Sequence, residues 1–167
     1  MSDPVRYEIT DRVAVITIDN PPVNALSPAV WDGIDQAVQR AVGDANADAI
    51  VLIGAGTTFI AGADIKVFDT LKTPEASFTR SASTHALLRR MEDASKPLVA
   101  AIHGNALGGG LEVAQACHFR VATKDAKAGQ PEVLQGIIPG AGGTPRLPRL
   151  CRAKRAPAKC TDAKAGP

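Results

Sequence analysis

Two glutamates and a run of glycines have the types and spacing needed for acid–base chemistry on a carbonyl substrate. Glu112 closely follows the glycine triplet at residues 108–110, and Glu132 lies twenty residues further along the chain. Two carboxylates beside hydrogen-bond donors can hold a water molecule and exchange protons with a substrate, provided that burial and mutual repulsion keep one of them protonated near neutral pH. Each acid also has a plainer interpretation, since Glu112 could simply favour a helix dipole and Glu132 could be a solvated carboxylate after Pro131.

Two glycine-rich turns could supply the hydrogen-bond donors. The first, at residues 60–66, follows a predicted strand, and its small residues let a ligand approach an exposed backbone amide. The second, at residues 108–110, opens a predicted helix, where the first amides lack intrahelical partners and lie at the positive end of the helix dipole. Together the turns can provide two donors for a developing oxyanion, although each turn alone is also explained by the demands of folding.

Four motifs that contain these residues follow one another along the chain. They are NPPVNAL at residues 20–26, FIAGADIK at 59–66, HGNALGGGLE at 103–112, and GQPE at 129–132 continued by GIIPGAGGT at 136–144. In order and spacing, across residues 5–150, they resemble the crotonase, or enoyl-CoA hydratase/isomerase, superfamily. The form NPPVNALS most resembles the N-terminal hydratase section of bacterial multifunctional fatty-acid oxidation enzymes. Four linked motifs are a much more specific signal than a lone glycine triplet.

The resemblance implies a role for individual residues. The backbone amides of Ala63 and Gly109 would form the oxyanion hole for a thioester carbonyl, Glu112 and Glu132 would be the catalytic carboxylates, and Gly140 would help to position water. Contacts with the substrate and its CoA part are expected from Pro22, Val23, Asn24, Ala61, Gly62, Asp64, Ile65, Lys66 and Gly108. The implied fold is α/β, a spiral of stacked ββα units, and the implied ligand is an acyl-CoA thioester. No metal is implied, and no cofactor other than the coenzyme A of the substrate.

The expected reaction is the addition of water across the 2,3 double bond of a 2-enoyl-CoA in fatty-acid β-oxidation. Two acids favour hydration, whereas a single acid at the position of Glu132 is the arrangement of many 3,2-enoyl-CoA isomerases, so isomerisation is the alternative within the family. Outside that chemistry, the chain could be a CoA-binding module with little turnover. It could also be a fragment that binds other proteins through exposed core surface or its basic end.

The remaining sequence predicts the elements that would position these residues. Aliphatic runs alternate with apolar residues at helical spacing, which is typical of an α/β architecture. We expect strands at residues 7–10, 12–19, 49–54, 97–102 and 119–122, and helices at residues 28–43, 74–93 and 111–116. The predicted buried positions are Val30, Ile34, Ala37, Val38 and Ala41 in the first helix, and Phe78, Ala82, Leu87, Leu88 and Met91 in the second.

Length and composition are those of one soluble domain. The chain has 167 residues, of which 45% are hydrophobic and 22% charged, and its aromatic residues are four Phe, one Trp and one Tyr, so the core must be aliphatic. No apolar run approaches the length of a membrane span, and the N-terminus lacks the pattern of a signal peptide. Three scattered cysteines are more typical of reduced thiols than of disulfides, so we expect a cytoplasmic protein. We expect neither a membrane nor a nucleic acid as a partner.

The sequence changes character after Leu150. From Arg146 onward there are seven Lys/Arg and one Asp, and residues 151–167 lack apolar periodicity. We therefore expect an acyl-CoA-binding core at residues 1–150 and a basic, poorly ordered tail at residues 151–167. By the resemblance, family members continue into further helices that cover the site, and they usually carry Gln where this chain has Pro145. We expect a C-terminally truncated member that forms a homo-oligomer or part of a larger multifunctional chain.

Overall fold

The computed structural model describes residues 3–64, 67 and 73–151, and seven strands occur in this part of the chain. They are β1 (Val5–Thr10), β2 (Val13–Ile18), β3 (Ala49–Gly54), β4 (Leu98–Ile102), β5 (Asn105–Leu107), β6 (Phe119–Ala122) and β7 (Lys127–Gly129). The main sheet has the order β1-β2-β3-β4-β6; its first pair is antiparallel and the other pairs are parallel. β5 and β7 form a separate parallel pair. The expected α/β class is confirmed.

Helices connect and cover the strands. Within the described residues they are α1 (Pro28–Gly43), α2 (Pro74–Glu92), α3 (Gly109–Ala116) and α4 (Gly143–Leu150), with a 3₁₀ helix at Pro131–Gln135. α1 begins as predicted, since the Ser27 hydroxyl accepts a hydrogen bond from the amide of Val30 at 3.3 Å and Pro28 occupies the first turn. All five predicted apolar positions of α1 are buried.

The core between the sheet and the helices is aliphatic, as the composition requires. In β2 and β3 every second side chain is buried, including Ile16 and Ile18 in β2 and Ile50 and Leu52 in β3. Phe59 is the fully buried aromatic residue of this core among the described residues. The five predicted strands are confirmed, with ends that differ by one or two residues.

The predicted burial of α2 is correct for one half of the helix and wrong for the other. Leu87, Leu88 and Met91 are buried against the core, whereas Phe78 is 76% exposed and Ala82 is also exposed. In the first half of α2 the apolar residues are too sparse to form a stripe, so helical spacing alone did not identify the face that packs.

The sequence did not predict β5, β7, the 3₁₀ helix or α4. β5 and β7 are three residues long and exist through pairing between distant segments, in which Asn105 lies opposite Lys127 and Leu107 opposite Gly129. α4 contains two prolines, but Pro145 lies in its first turn, where a backbone N–H has no intrahelical partner to lose. These elements depend on tertiary contacts rather than on local pattern.

The predicted tail at residues 151–167 lies outside the described residues, apart from Cys151. Among the helices that the structure does describe, none is both long enough and apolar enough to cross a membrane.

Candidate active site

Ala63 is fixed in place by the backbone hydrogen bonds of its neighbours, while its own amide donates no hydrogen bond within the described residues. Leu26 forms a parallel bridge with Ala63: the Leu26 amide donates to the carbonyl of Gly62 at 2.9 Å, and the Asp64 amide donates to the carbonyl of Leu26 at 3.4 Å. Gly62 has a φ of 125°, which only glycine adopts readily, and this turns the chain. Among the described residues, the Ala63 N–H finds no acceptor.

Gly109 begins α3 directly beside Ala63. The preceding residue, Gly108, donates its amide to Gly129 at 2.9 Å and accepts from the amide of Glu112 at 3.1 Å, so its backbone is fully used. A Cβ atom built on Gly109 would lie 3.8 Å from the Ala63 nitrogen. Two half-buried residues, Ala63 and Gly109, therefore bring backbone amides together, and within the described part of the chain neither amide donates to a protein acceptor.

Glu112 is a buried carboxyl group held by backbone amides. It is 3% exposed, and its Oε1 accepts hydrogen bonds from Ala141 at 2.8 Å and from Gly143 at 2.7 Å. Burial raises the pKa of Glu112 to about 7; the two amides oppose this rise, and the charge of Glu132 adds to it. Although Glu112 does lie in the first turn of α3, its carboxylate is bound by amides of the segment where α4 begins, so the simple helix-dipole interpretation is insufficient.

Glu132 is buried beside the same glycines. It lies in the 3₁₀ helix and is 8% exposed, and a Cβ atom built on Gly108 would lie 3.3 Å from its Oε1. Its Oε2 has no hydrogen-bond partner among the described residues. Burial raises the pKa of Glu132, opposed by a hydrogen bond from its own backbone amide. The interpretation of Glu132 as a solvated carboxylate is therefore wrong.

An ion pair holds the loop that binds Glu112. The Arg146 guanidinium, on α4, donates from Nη1 to the carbonyl of Ala141 at 2.9 Å. It also donates from Nε and Nη2 to the two carboxylate oxygens of Glu92, at 2.7 and 2.9 Å. Arg146 thus ties the Ala141 loop to the end of α2, and its positive charge lowers the pKa of Glu112.

Both glutamates line one cavity of about 590 Å³. Gly140 is part of the same wall, and among the described residues a Cβ atom built there would contact the carbonyl oxygen of Ile138, at 3.9 Å. The other described residues that line the cavity are Trp31, Ser77, Arg80, Ser81, Thr84, Gly136, Ile137, Ile138 and Ala141. The arrangement can present two hydrogen-bond donors, two carboxyl groups and space for a small acyl group to one ligand.

The predicted CoA-contacting residues fall into three groups. Pro22 and Val23 are exposed on a surface loop, and the Ala61 amide ties this loop down by donating to the Val23 carbonyl at 3.1 Å. Gly62, Asp64 and Gly108 brace the turns around the two amides. Ile65 and Lys66 lie outside the described residues.

Asn24 is a member of the predicted set that the fold itself uses. It is 3% exposed and has a φ of 55°. Its side-chain amide donates to the carbonyls of Ala55 and Thr58 at 2.9 and 2.7 Å, and its Oδ1 accepts from the amide of Asn20 at 3.0 Å. The side chain therefore shapes the loop, and contact between this loop and CoA stays a prediction.

Sequence reasoning missed three residues around Glu112: the amides of Ala141 and Gly143, and the side chain of Arg146. The repeated glycines at residues 140–143 were a signal that backbone approaches something closely there. What they approach lies about thirty residues earlier in the sequence, at Glu112, so no local pattern could identify it. In the described residues, no group of three or more His, Cys, Asp or Glu side chains is placed to bind a metal ion.

Comparisons with known proteins show which family the chain resembles. A profile of the enoyl-CoA hydratase/isomerase family matches residues 8–164. The chain is 49% identical over 145 residues to a probable enoyl-CoA hydratase of Bacillus subtilis, covering 87% of this chain and 56% of that protein. It is 50% identical over 141 residues to a peroxisomal fatty acid beta-oxidation multifunctional protein of rice (Oryza sativa), covering 84% of this chain and 19% of that protein.

A solved structure shows the same fold. The enoyl-CoA hydratase from Thermoplasma volcanium superposes with a TM-score of 0.91 at 30% identity, over 98% of this chain and 65% of that one. The chain thus spans little more than half of the Bacillus relative and about two thirds of the Thermoplasma protein. On the family profile, the sequence identity and the shared architecture together, the chain belongs to the enoyl-CoA hydratase/isomerase, or crotonase, family.

Proposed function

We propose that the chain carries the catalytic core of an enoyl-CoA hydratase, which adds water across the 2,3 double bond of a 2-enoyl-CoA. The observation that supports this most is the grouping of two donors with two acids. The amides of Ala63 and Gly109 lie near each other without a protein acceptor in the described residues, and the buried carboxyls of Glu112 and Glu132 line one cavity beside the same glycine turn. Relatives named enoyl-CoA hydratases add to that support.

In this proposal the two amides bind the thioester carbonyl oxygen. Their hydrogen bonds strengthen as negative charge collects on that oxygen, which draws electron density from C3 and stabilises the enolate that forms when water attacks. A preorganised donor of this kind lowers the barrier by about 3 kcal/mol. The low exposure of the surrounding residues makes the effect larger than it would be in water.

The two glutamates exchange the protons. The water oxygen bonds to C3 while its proton passes to one carboxylate, and the other glutamate, protonated, donates its proton to C2 as the enolate collapses. Elevated pKa values of both acids favour a pair that holds one proton near neutral pH, which is the state this step needs. Gly140 would help to hold the water, and the reaction would need no cofactor beyond the CoA of the substrate.

The burial of both glutamates favours this reaction over 3,2-enoyl isomerisation. Isomerisation moves one proton between carbons and can use one acid, whereas both glutamates here are buried at the cavity. A CoA-binding module with slow turnover is the second candidate. Ile137 and Ile138, which line the cavity, are 42% and 76% exposed, so this side of the cavity is open to solvent.

We further propose that the chain works as a homo-oligomer or within a longer multifunctional chain.

Single-turnover hydration of crotonyl-CoA tests the proposal. With the chain in excess, we expect 3-hydroxybutyryl-CoA to form, seen as loss of the absorbance of the conjugated thioester and confirmed by mass spectrometry. Binding of crotonyl-CoA without product would select the binding module, and conversion of a 3-enoyl-CoA without hydration would select the isomerase. A chain that binds no acyl-CoA would refute all three.

A further inference from the structure

One wall of the cavity that holds Glu112 and Glu132 is polar where an acyl chain would be expected to meet hydrocarbon. Four residues of α2 line this wall: Ser77, Arg80, Ser81 and Thr84. Their spacing of three or four residues puts them on one face of the helix. Phe78, from the same turns, is 76% exposed, so the face of α2 that lines the cavity is polar and the aromatic residue lies outside it.

Arg80 is the one cation among the described residues that line this cavity. It is partly buried, yet it makes no ion pair or side-chain hydrogen bond with any residue in the described part of the chain. Two other arginines near α2 are both paired: Arg90 with Asp35 at 2.7 Å and Arg146 with Glu92 at 2.7 Å. Arg80 also lines a second cavity together with Asp32, Asp35 and Glu75, but in the described part of the chain it forms no ion pair with any of them. Its charge is therefore available at the wall of the cavity that holds Glu112 and Glu132.

An acyl chain that ends in a methyl group gains nothing from this charge. Packing hydrocarbon against a guanidinium removes water from the cation and replaces it with no acceptor, which is unfavourable. A terminal carboxylate instead matches the planar donor pair of arginine and forms a charge-assisted, bidentate contact. The hydroxyls of Ser81 and Thr84 add donors nearby, and Trp31 and Ile137 offer apolar surface to the methylene groups between.

We infer that the site selects 2-enoyl-CoA substrates whose acyl chain ends in a carboxylate, and that Arg80 is the specificity-determining residue that binds that carboxylate. The inference rests on the proposed function for the reaction, and on the cavity wall for the acyl group. The two buried glutamates would repel such a substrate if both were ionised; the elevated pKa of Glu112 eases that repulsion by keeping a proton in the site.

Equilibrium binding tests the acyl preference without requiring turnover. Calorimetric titration of the full chain with adipoyl-CoA and with hexanoyl-CoA compares two acyl groups of one length, with and without the terminal carboxylate. We expect adipoyl-CoA to bind about 10- to 100-fold more tightly, as for a hydrogen-bonded charge pair. Arg80→Gln should abolish the difference by weakening adipoyl-CoA alone, and Arg80→Lys should retain part of it.

Arg89→Gln is the matched control, since Arg89 lies on the same helix but lines a different cavity, and it should leave both affinities unchanged. Equal binding of the two ligands by the unmodified chain, or an equal loss of both in Arg80→Gln, would overturn the inference. Circular dichroism of Arg80→Gln and Arg80→Lys shows whether each variant is folded.

Hydration assays then separate this inference from the proposed function. We expect 2-hexenedioyl-CoA to be hydrated with a kcat/KM about 10-fold or more above that of 2-hexenoyl-CoA, and the ratio to fall toward one in Arg80→Gln. Preferential binding of adipoyl-CoA without hydration of either enoyl substrate would refute the proposed function and leave the acyl preference standing. Faster hydration of 2-hexenoyl-CoA would refute the preference and support the hydratase.

Discussion

The backbone amide of Gly143 donates to Oε1 of Glu112 at 2.7 Å, across 31 residues of sequence. A Cβ atom built on Gly143 would lie 3.0 Å from that same oxygen and against the side-chain amide of Gln130, so glycine is required for the approach. The contact fixes one oxygen of a buried acid at the point where α4 begins. The position and protonation of Glu112 therefore depend on a segment that is remote in sequence.

Glu112→Gln and Glu132→Gln should each depress hydration by about 10²- to 10⁴-fold, because each removes one of the two proposed proton-transfer groups. Acyl-CoA affinity should change little, since glutamine keeps the shape of glutamate. Single-turnover rates and calorimetric affinities for each variant provide the measurement. Glu8→Gln, on the exposed face of β1, is the control and should behave as the parent chain. A rate near the parent value in either site variant would rule out the two-acid assignment.

Gly109→Val should impair turnover by displacing the amide that we propose binds the substrate carbonyl. Even a single Cβ at Gly109 would lie 3.0 Å from Cδ1 of Leu26 and 3.8 Å from the Ala63 nitrogen, so a branched side chain must move the backbone or fill the space between the amides. Loss of one such donor lowers the rate by about 10²- to 10³-fold. Gly43→Val, where a Cβ would meet nothing within 4 Å, is the control for a glycine replaced at a helix end. An active Gly109→Val variant would argue against this donor.

The sequence predicted those elements whose signal lies in adjacent residues. The cap at Ser27 and the apolar stripe of α1 were recognised because adjacent residues carry the whole signal. β5 and β7 were missed because each is three residues long and becomes a strand only through its partner. Phe78 was placed inside because spacing alone cannot tell a core-facing side from a solvent-facing side when neither is continuous.

The sequence predicted part of the candidate site and missed the segment that surrounds Glu112. The resemblance to the family picked out Ala63, Gly109, Glu112 and Glu132, which the structure brings to one place. It could not supply the loop at Ala141 and Gly143 that binds Glu112, nor the role of Arg146, because those depend on how α4 packs against α3. The burial of both acids is likewise a property of the folded chain.

Stability should fall as pH rises through the weakly acidic range. The pKa of Glu112 rises from 4.5 to about 7 on folding, so between these values the folded state binds more protons than the unfolded state. The free energy of unfolding then decreases with pH, by about 3 kcal/mol from this group, and the stabilisation present below pH 4.5 is lost by about pH 7.

Urea titrations across this pH range measure the effect. Glu112→Gln should flatten the dependence, because glutamine does not titrate, and it should raise the stability at neutral pH relative to the parent chain. Glu132, whose pKa is also raised by burial, contributes in the same direction and accounts for dependence that persists in Glu112→Gln. A free energy of unfolding that increases with pH through this window would contradict the burial argument.

Arg146→Gln should change the chemistry of Glu112 as well as the packing of α4. The substitution removes the hydrogen bond to the carbonyl of Ala141 and the two bonds to Glu92, so the loop whose amides bind Glu112 loses its anchor. It also removes a positive charge that lowers the pKa of Glu112, so this pKa should rise further. In the pH profile of kcat/KM, the limb that belongs to Glu112 should therefore move to higher pH, with a rate loss of about 10-fold or more from misplacement of the acid.

Arg90→Gln is the matched control, because Arg90 also forms a bidentate ion pair from α2, with Asp35 of α1, at 3.0 and 2.7 Å. It should lower stability by about 0.5 kcal/mol, as surface pairs do, and leave the pH profile unchanged. Arg146→Lys keeps the charge but not the planar donor set, so it should restore the position of the pH limb more than it restores the rate. If Arg146→Gln and Arg90→Gln gave the same small loss of stability and the same pH profile, Arg146 would be a structural residue with no influence on Glu112.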